Sequence, residues 1–130
     1  MPKIAVVIPA YDEEKTIGNV LKPLSTLSII DEIVVVSDGS HDRTASIARS
    51  YNARVIELDK NHGKTNAVLT GVQSTDADII LMLDADLIGL TNEHIINLLQ
   101  PVVDNKADMT IGVFSSGRGA TDLAQKIAPF

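Results

Sequence analysis

The chain has 130 residues, 45% of them hydrophobic and 22% charged, which is enough for one domain with a real core and too little for two. Lys+Arg 11 against Asp+Glu 17 gives a net charge of -6, so sequence-independent nucleic-acid binding, which needs a basic surface, is disfavoured. The absence of Cys excludes a disulfide framework, a thiolate zinc site and a cysteine nucleophile, and 3% aromatics with no Trp leave little for stacking platforms.

Residues 4–8 form an apolar, β-branched run that predicts a first strand. The run is too short for a signal peptide and is soon followed by acid. No stretch approaches the ~20 apolar residues of a membrane span. Ile17, Val20, Leu21, Leu24 and Leu27 then recur at helical spacing, with Pro23 expected to kink or shorten the helix. A second strand is predicted over 33–36, a short helix over 44–51, a third strand over 54–58 and a helix over 65–72. A fourth strand follows over 79–83. Thr91 suits the N-cap of a helix carrying Ile95, Ile96, Leu98 and Leu99. A fifth strand is predicted over 109–114 and a terminal helix over 121–128. Most of the strand runs are apolar at nearly every position, as strands buried on both faces should be. The alternation predicts an α/β fold: a doubly wound, mostly parallel sheet with helices on both faces.

In such a sheet, ligands bind beyond the carboxyl ends of the strands. The residues there are Pro9-Ala10-Tyr11-Asp12-Glu13-Glu14, Ser37-Asp38-Gly39-Ser40, Asp59-Lys60-Asn61-His62-Gly63-Lys64 and Asp84-Ala85-Asp86. A parallel sheet brings Asp12, Glu13, Glu14, Asp38, Asp84 and Asp86 to one rim. Asp84 and Asp86 flank a single residue at a strand end, so both can turn to that rim. Mg²⁺ or Mn²⁺ takes one or two carboxylates plus substrate phosphates. A solvated acidic turn is the plain alternative. Asp38 could accept hydrogen bonds from a base or ribose, with Gly39 letting backbone approach a ligand; ordinary turn chemistry explains the same residues. Gly63 and Lys64 could offer backbone amides and an ammonium to phosphate, although the spacing is not that of a P-loop. His41, His62 and His94 are not spaced as a metal site.

Taken together, these segments resemble the nucleotide-binding half of family 2 glycosyltransferases, of GT-A fold. Residues 9–14 resemble that family's Pro-Ala-Tyr-Asn-Glu-Glu opening, with Asp12 in place of Asn. Residues 37–44 resemble its Asp-Asp-Gly-Ser-x-Asp-x-Thr block, with Ser37 in place of the first Asp. Asn61, Gly63, Lys64 and Ala67 fit its Asn-x-Gly-Lys segment, and Asp84-Ala85-Asp86 fits its D-x-D motif. The four blocks stand in order, each after its expected strand, over residues 3–90. Within the family, the dolichyl-phosphate mannose synthase group looks most similar.

The resemblance implies that Pro9, Ala10, Tyr11 and Glu13 line a nucleoside pocket together with Asp38, Gly39, Gly63, Lys64, Asp84 and Ala85. It implies that Asp84 and Asp86 hold Mg²⁺ or Mn²⁺ against the diphosphate of a UDP- or GDP-linked sugar. Ile88 stands where that mannose synthase group often carries Gln, which puts one metal ligand in doubt. The acceptor, with polyprenyl phosphate and a glycan as the candidates, and the catalytic base stay unassigned. Asp104 and Asp108 belong to the wrong rim, Asp122 to a terminal helix, and Arg118 reads as a loop cation. Residues 1–130 are expected to be the N-terminal, donor-binding part of a longer enzyme. A cytoplasmic location is expected, with peripheral membrane contact and a homodimer both left open. The competing reading is a phosphoacceptor receiver domain, which fits the length and acidic rim. Such a domain needs its phosphorylated Asp after the third strand and a Lys after the fifth. Here Asp59-Lys60 follows the third strand and Lys106 precedes the fifth.

Overall fold

The computed structural model describes residues 2–112 and the backbone of 124–127. In chain order the elements are β1 (Ile4–Ala10), α1 (Ile17–Ser25), β2 (Glu32–Asp38), α2 (Thr44–Ser50), β3 (Arg54–Leu58), α3 (Lys64–Gln73), β4 (Ile79–Met82), α4 (Asn92–Val103), β5 (Met109–Gly112) and β6 (Ala124–Ile127). They form one six-stranded sheet of order β3-β2-β1-β4-β6-β5. The β1–β2, β1–β4 and β2–β3 pairs are parallel, and β6 runs antiparallel to both β4 and β5.

Alternation along the buried strands divides the core. Ile4, Val6, Ile8, Val35, Ile79 and Leu81 pack with α1, α2 and α4, whereas Val34 and Val36 pack with Ala67 of α3. Both faces are therefore covered, which is why the strands lack polar alternation. Gly71 permits the α3 contact: a Cβ there would lie 2.5 Å from Val7 Cγ1 and 3.2 Å from Val36 Cγ2. Pro23 lies inside α1, and the helix ends at Ser25 rather than continuing through Leu27. Thr91 caps α4 as expected. Its hydroxyl accepts the His94 amide at 3.2 Å, and His94 Nδ1 accepts the Thr91 amide at 3.3 Å, so His94 serves the cap.

Two expectations change. Of the segment expected to be helical over 121–128, residues 124–127 are a strand between β4 and β5. The pairing demand of two flanking strands outweighs the i, i+4 spacing of Leu123 and Ile127, since backbone groups at a sheet edge take any partner that satisfies them. The strand order also disagrees with a receiver domain. A receiver's flavodoxin-like order, 2-1-3-4-5, places β1 between β2 and β3; here β1 lies between β2 and β4.

At the amino-end rim, acidic groups are answered locally. Asp31 accepts the Ile4 amide and Asp78 the Lys3 amide, both at 2.8 Å. Lys3 pairs with Asp76 and Glu32, and Arg54 pairs with Glu32. Among the described residues, no helix is long and apolar enough to cross a membrane.

Candidate donor-binding site

Four loops leave the carboxyl ends of β1 to β4 and meet around an open cleft of about 380 Å³. It is lined by Pro9, Ala10, Tyr11 and Glu13 from the first, Asp38 from the second, Asn61, Gly63, Lys64 and Ala67 from the third, and Asp84, Ala85 and Asp86 from the fourth. Every residue expected here on sequence grounds lines it except Gly39. Gly39 does different work. Its φ is +76°, and a Cβ would fall 2.6 Å from both the Lys60 carbonyl carbon and the Asn61 nitrogen. The close approach it allows is between two loops of the protein.

The six rim carboxylates separate into two groups. Asp12, Glu14 and Asp38 hold loops. Asp12 adopts φ +49°, a left-handed conformation that Asp and Asn tolerate better than most residues. Its carboxylate accepts the His41 amide at 2.8 Å while its own amide donates to the Ser40 hydroxyl at 3.0 Å. Glu14 accepts from Arg43, and the Glu14 amide donates to Asp42. The Glu13 amide donates to the Thr44 hydroxyl at 2.9 Å. Asp42 also accepts from the Thr44 amide and hydroxyl. Burial opposes its charge, but the hydrogen bonds from the Thr44 hydroxyl and amide, the Glu14 amide and its own amide prevail and hold its carboxyl below the usual value. Asp38 is only 3% exposed. Its two oxygens accept the His62 and Gly63 amides, each at 2.9 Å. It thus fixes the third loop, although a carboxylate retains lone pairs for a further donor.

Glu13, Asp84 and Asp86 form the second group. Burial, foremost, holds the Glu13 carboxyl above its usual value; the Thr16 hydroxyl opposes this and nearby Asp86, Asp42 and Asp84 reinforce it. Lys64, the first residue of α3, donates its ammonium to Asp84 Oδ1 at 2.5 Å. Asp86 has no side-chain hydrogen bond or ion pair among the described residues. The two aspartates supply hard oxygen donors. No three His, Cys, Asp or Glu side chains form a cage among the described residues. That donor set fits a Mg²⁺ or Mn²⁺ ion completed by water and phosphate, as such ions are commonly held. Ile88 is 70% exposed in the following loop and adds no oxygen donor.

Asn61 and Ala67 were not among the expected lining residues. Asn61 was visible in the Asn-x-Gly-Lys segment; its Oδ1 accepts the Gly63 amide at 3.0 Å. Ala67 follows Lys64 by one helical turn and lines the cleft while packing against Val34 and Val36. Arg118 and Asp122 lie outside the described residues.

The sequence matches the profile of glycosyl transferase family 2 over residues 5–128. It is 43% identical over 97 residues to a 4,4'-diaponeurosporenoate glycosyltransferase of Staphylococcus haemolyticus, covering 70% of this chain and 26% of that protein. The corresponding Staphylococcus aureus protein is 34% identical over 101 residues, covering 74% and 27%. Among solved structures, Mycobacterium tuberculosis glucosyl-3-phosphoglycerate synthase superposes with a TM-score of 0.76 at 30% identity, over 83% of this chain and 43% of that one. A complex of that synthase with Mn²⁺ and UDP superposes with a TM-score of 0.70 at 30% identity, over 78% and 39%. The chain therefore spans about a quarter of the curated relatives and less than half of the solved neighbours. These names do not carry the narrower resemblance to dolichyl-phosphate mannose synthase, which rests on the motifs alone. A profile match across nearly the whole chain, with the four motif-bearing loops meeting at one cleft, means that the chain belongs to glycosyl transferase family 2.

Proposed function

We propose that this chain is the donor-binding part of a metal-dependent glycosyltransferase and that its cleft takes a nucleoside diphosphate sugar, with UDP as the first candidate nucleotide. The observation that carries the reading is the convergence of Asp84 and Asp86 on the same cleft as Pro9, Tyr11 and Asp38. The UDP and Mn²⁺ held by a structural neighbour support both the nucleotide and the ion. In this reading Pro9 and Tyr11 flank the base, and Asp38 offers its remaining lone pairs to base or ribose. Asp84 and Asp86 hold Mg²⁺ or Mn²⁺. When bound, the ion supplies Lewis-acid stabilisation for a departing diphosphate. Lys64 adds a positive charge facing the same space, and Glu13 borders it as a carboxyl that holds its proton more tightly than an ordinary glutamate.

A thermal-shift panel of UDP, GDP and CDP, each with Mn²⁺ or with EDTA, tests the reading. A ligand bound only by the folded state raises the melting midpoint, by about 2.7 kcal/mol of stabilisation at a hundredfold excess over Kd. UDP with Mn²⁺ should raise it and UDP with EDTA should not. Asp86→Ala should remove the metal-dependent part while leaving the unliganded midpoint nearly unchanged, because no internal bond is lost. Equal UDP affinity of variant and parent in Mn²⁺ would remove Asp86 from the metal site.

A further inference from the structure

We propose that Lys64 is a built-in competitor for the metal: its ammonium holds Asp84 until diphosphate arrives, so ion and nucleotide enter together rather than the ion alone. The proposal rests on the donor-site reading above and specifies how that site is regulated.

The argument starts from an asymmetry between the two aspartates. Asp84 Oδ1 receives Lys64 Nζ at 2.5 Å, whereas Asp86 has no side-chain hydrogen bond or ion pair among the described residues. Lys64 occupies one of the two Asp84 oxygens, so an ion held by Asp84 and Asp86 would lie beside the ammonium, and the two cations would repel each other. An ion arriving without an anion would therefore bind against that charge or push the ammonium away from its partner.

Diphosphate changes the balance. The Asp84 side chain is 15% exposed and Lys64 65% exposed, so the carboxylate is fixed at the strand end while the lysine is free to swing on its four-carbon stem. Lys64 and Asp84 line one cleft. A diphosphate there gives the displaced ammonium a new anionic partner while also completing the ion's coordination. Each ligand then removes an obstacle to the other, which is positive coupling between them, and linkage makes that coupling reciprocal.

The test compares the parent chain with Lys64→Met, which keeps the stem and deletes the charge, and Lys64→Arg, which keeps the charge. Free Mn²⁺ is followed by EPR during titration, with and without UDP. Manganese alone should bind Lys64→Met about three- to tenfold more tightly than the parent, the scale set by losing one competing ion pair and its repulsion. In saturating Mn²⁺, UDP should bind Lys64→Met more weakly than the parent. The enhancement of Mn²⁺ affinity by UDP should shrink in Lys64→Met and persist in Lys64→Arg. Opposite signs for metal and nucleotide cannot come from a generally loosened site. Metal-only affinity of Lys64→Met equal to or below that of the parent would overturn the proposal. If the parent shows no Mn²⁺-dependent UDP binding, the donor-site reading itself fails and this inference falls with it.

Discussion

Replacing Asp38 with Asn separates a residue that touches a ligand from one that builds the loop on which the ligand rests. Asp38 is buried, and each oxygen accepts one backbone amide at 2.9 Å, from His62 and from Gly63. Asn preserves the shape but offers a single acceptor. One amide then loses its partner and faces the Asn amide group, a donor against a donor. A hydrogen bond to a charged group contributes about 1.5–3 kcal/mol, and the orphaned donor keeps its desolvation cost. The expected loss of unfolding free energy is therefore about 3 kcal/mol, a large share of a typical domain's ~5–15 kcal/mol. Urea unfolding followed by circular dichroism measures it as a lower midpoint at unchanged slope. UDP affinity should fall as well, because the loop carrying Asn61, Gly63 and Lys64 loses its anchor. If Asp38→Asn stays within about 0.5 kcal/mol of the parent, as surface substitutions do, while UDP binding disappears, the anchoring argument is wrong and Asp38 is a ligand contact alone.

The remaining predictions concern the same rim. Gly39→Ala and Gly63→Ala both force alanine to a positive φ, +76° and +97°, but only the Gly39 Cβ meets backbone, whereas Gly63 has nothing within 4 Å. Gly63, with ψ 160°, lies where essentially only glycine goes, so Gly63→Ala should lose ~1–3 kcal/mol through the backbone alone; Gly39→Ala should lose its backbone cost and at least ~1 kcal/mol more through overpacking, and a Gly39→Ala loss below ~1 kcal/mol in urea unfolding would contradict the close approach. For Glu13, the folded carboxyl binds its proton more tightly than the unfolded one. Its contribution to stability therefore falls as pH rises from the ordinary value of 4.5 through the raised one. Glu13→Gln should be more stable than the parent above that window and lose its advantage below it. Melting midpoints measured across the range test this, and an advantage confined to acid would reverse the sign.

The parallel core was legible because its causes are local. Strands apolar at every position can only be interior, and β1, β2 and β4 read that way in sequence and lie at the centre of the sheet. Asp84 and Asp86 were legible for the same reason: the run 79–83 fixes where the chain emerges. The strand at 124–127 was not legible, since its identity comes from partners at 80–82 and 109–112 rather than from its own pattern. Nor could the sequence divide the acidic rim. It shows that Asp12, Glu14 and Asp38 follow strand ends. It cannot show that the left-handed turn at Asp12 brings its carboxylate to the His41 amide, or that Gly39 lets the third loop descend far enough for Asp38 to hold it.

That division gives the two rims different meanings. At the amino ends, Asp31, Glu32, Asp76 and Asp78 each have an amide, lysine or arginine of the protein itself as partner. At the carboxyl ends, the loop-holding acids are satisfied in the same way, but Glu13, Asp84 and Asp86 meet around one cleft with Lys64 as the single cation lining it among the described residues. Burial is the main reason that the Glu13 carboxyl is elevated, and the neighbouring carboxylates add to it, since clustered carboxylates raise one another's proton affinity. An arrangement serving only the fold would gain by replacing Asp86 with a neutral residue, since it gives up no internal bond. In the proposed reading the cluster becomes favourable when a divalent cation enters, and the anion that follows that cation would meet a positive ion and a released lysine instead of bare acid. The negative rim of an acidic protein would thereby serve as a binding site for a negatively charged nucleotide.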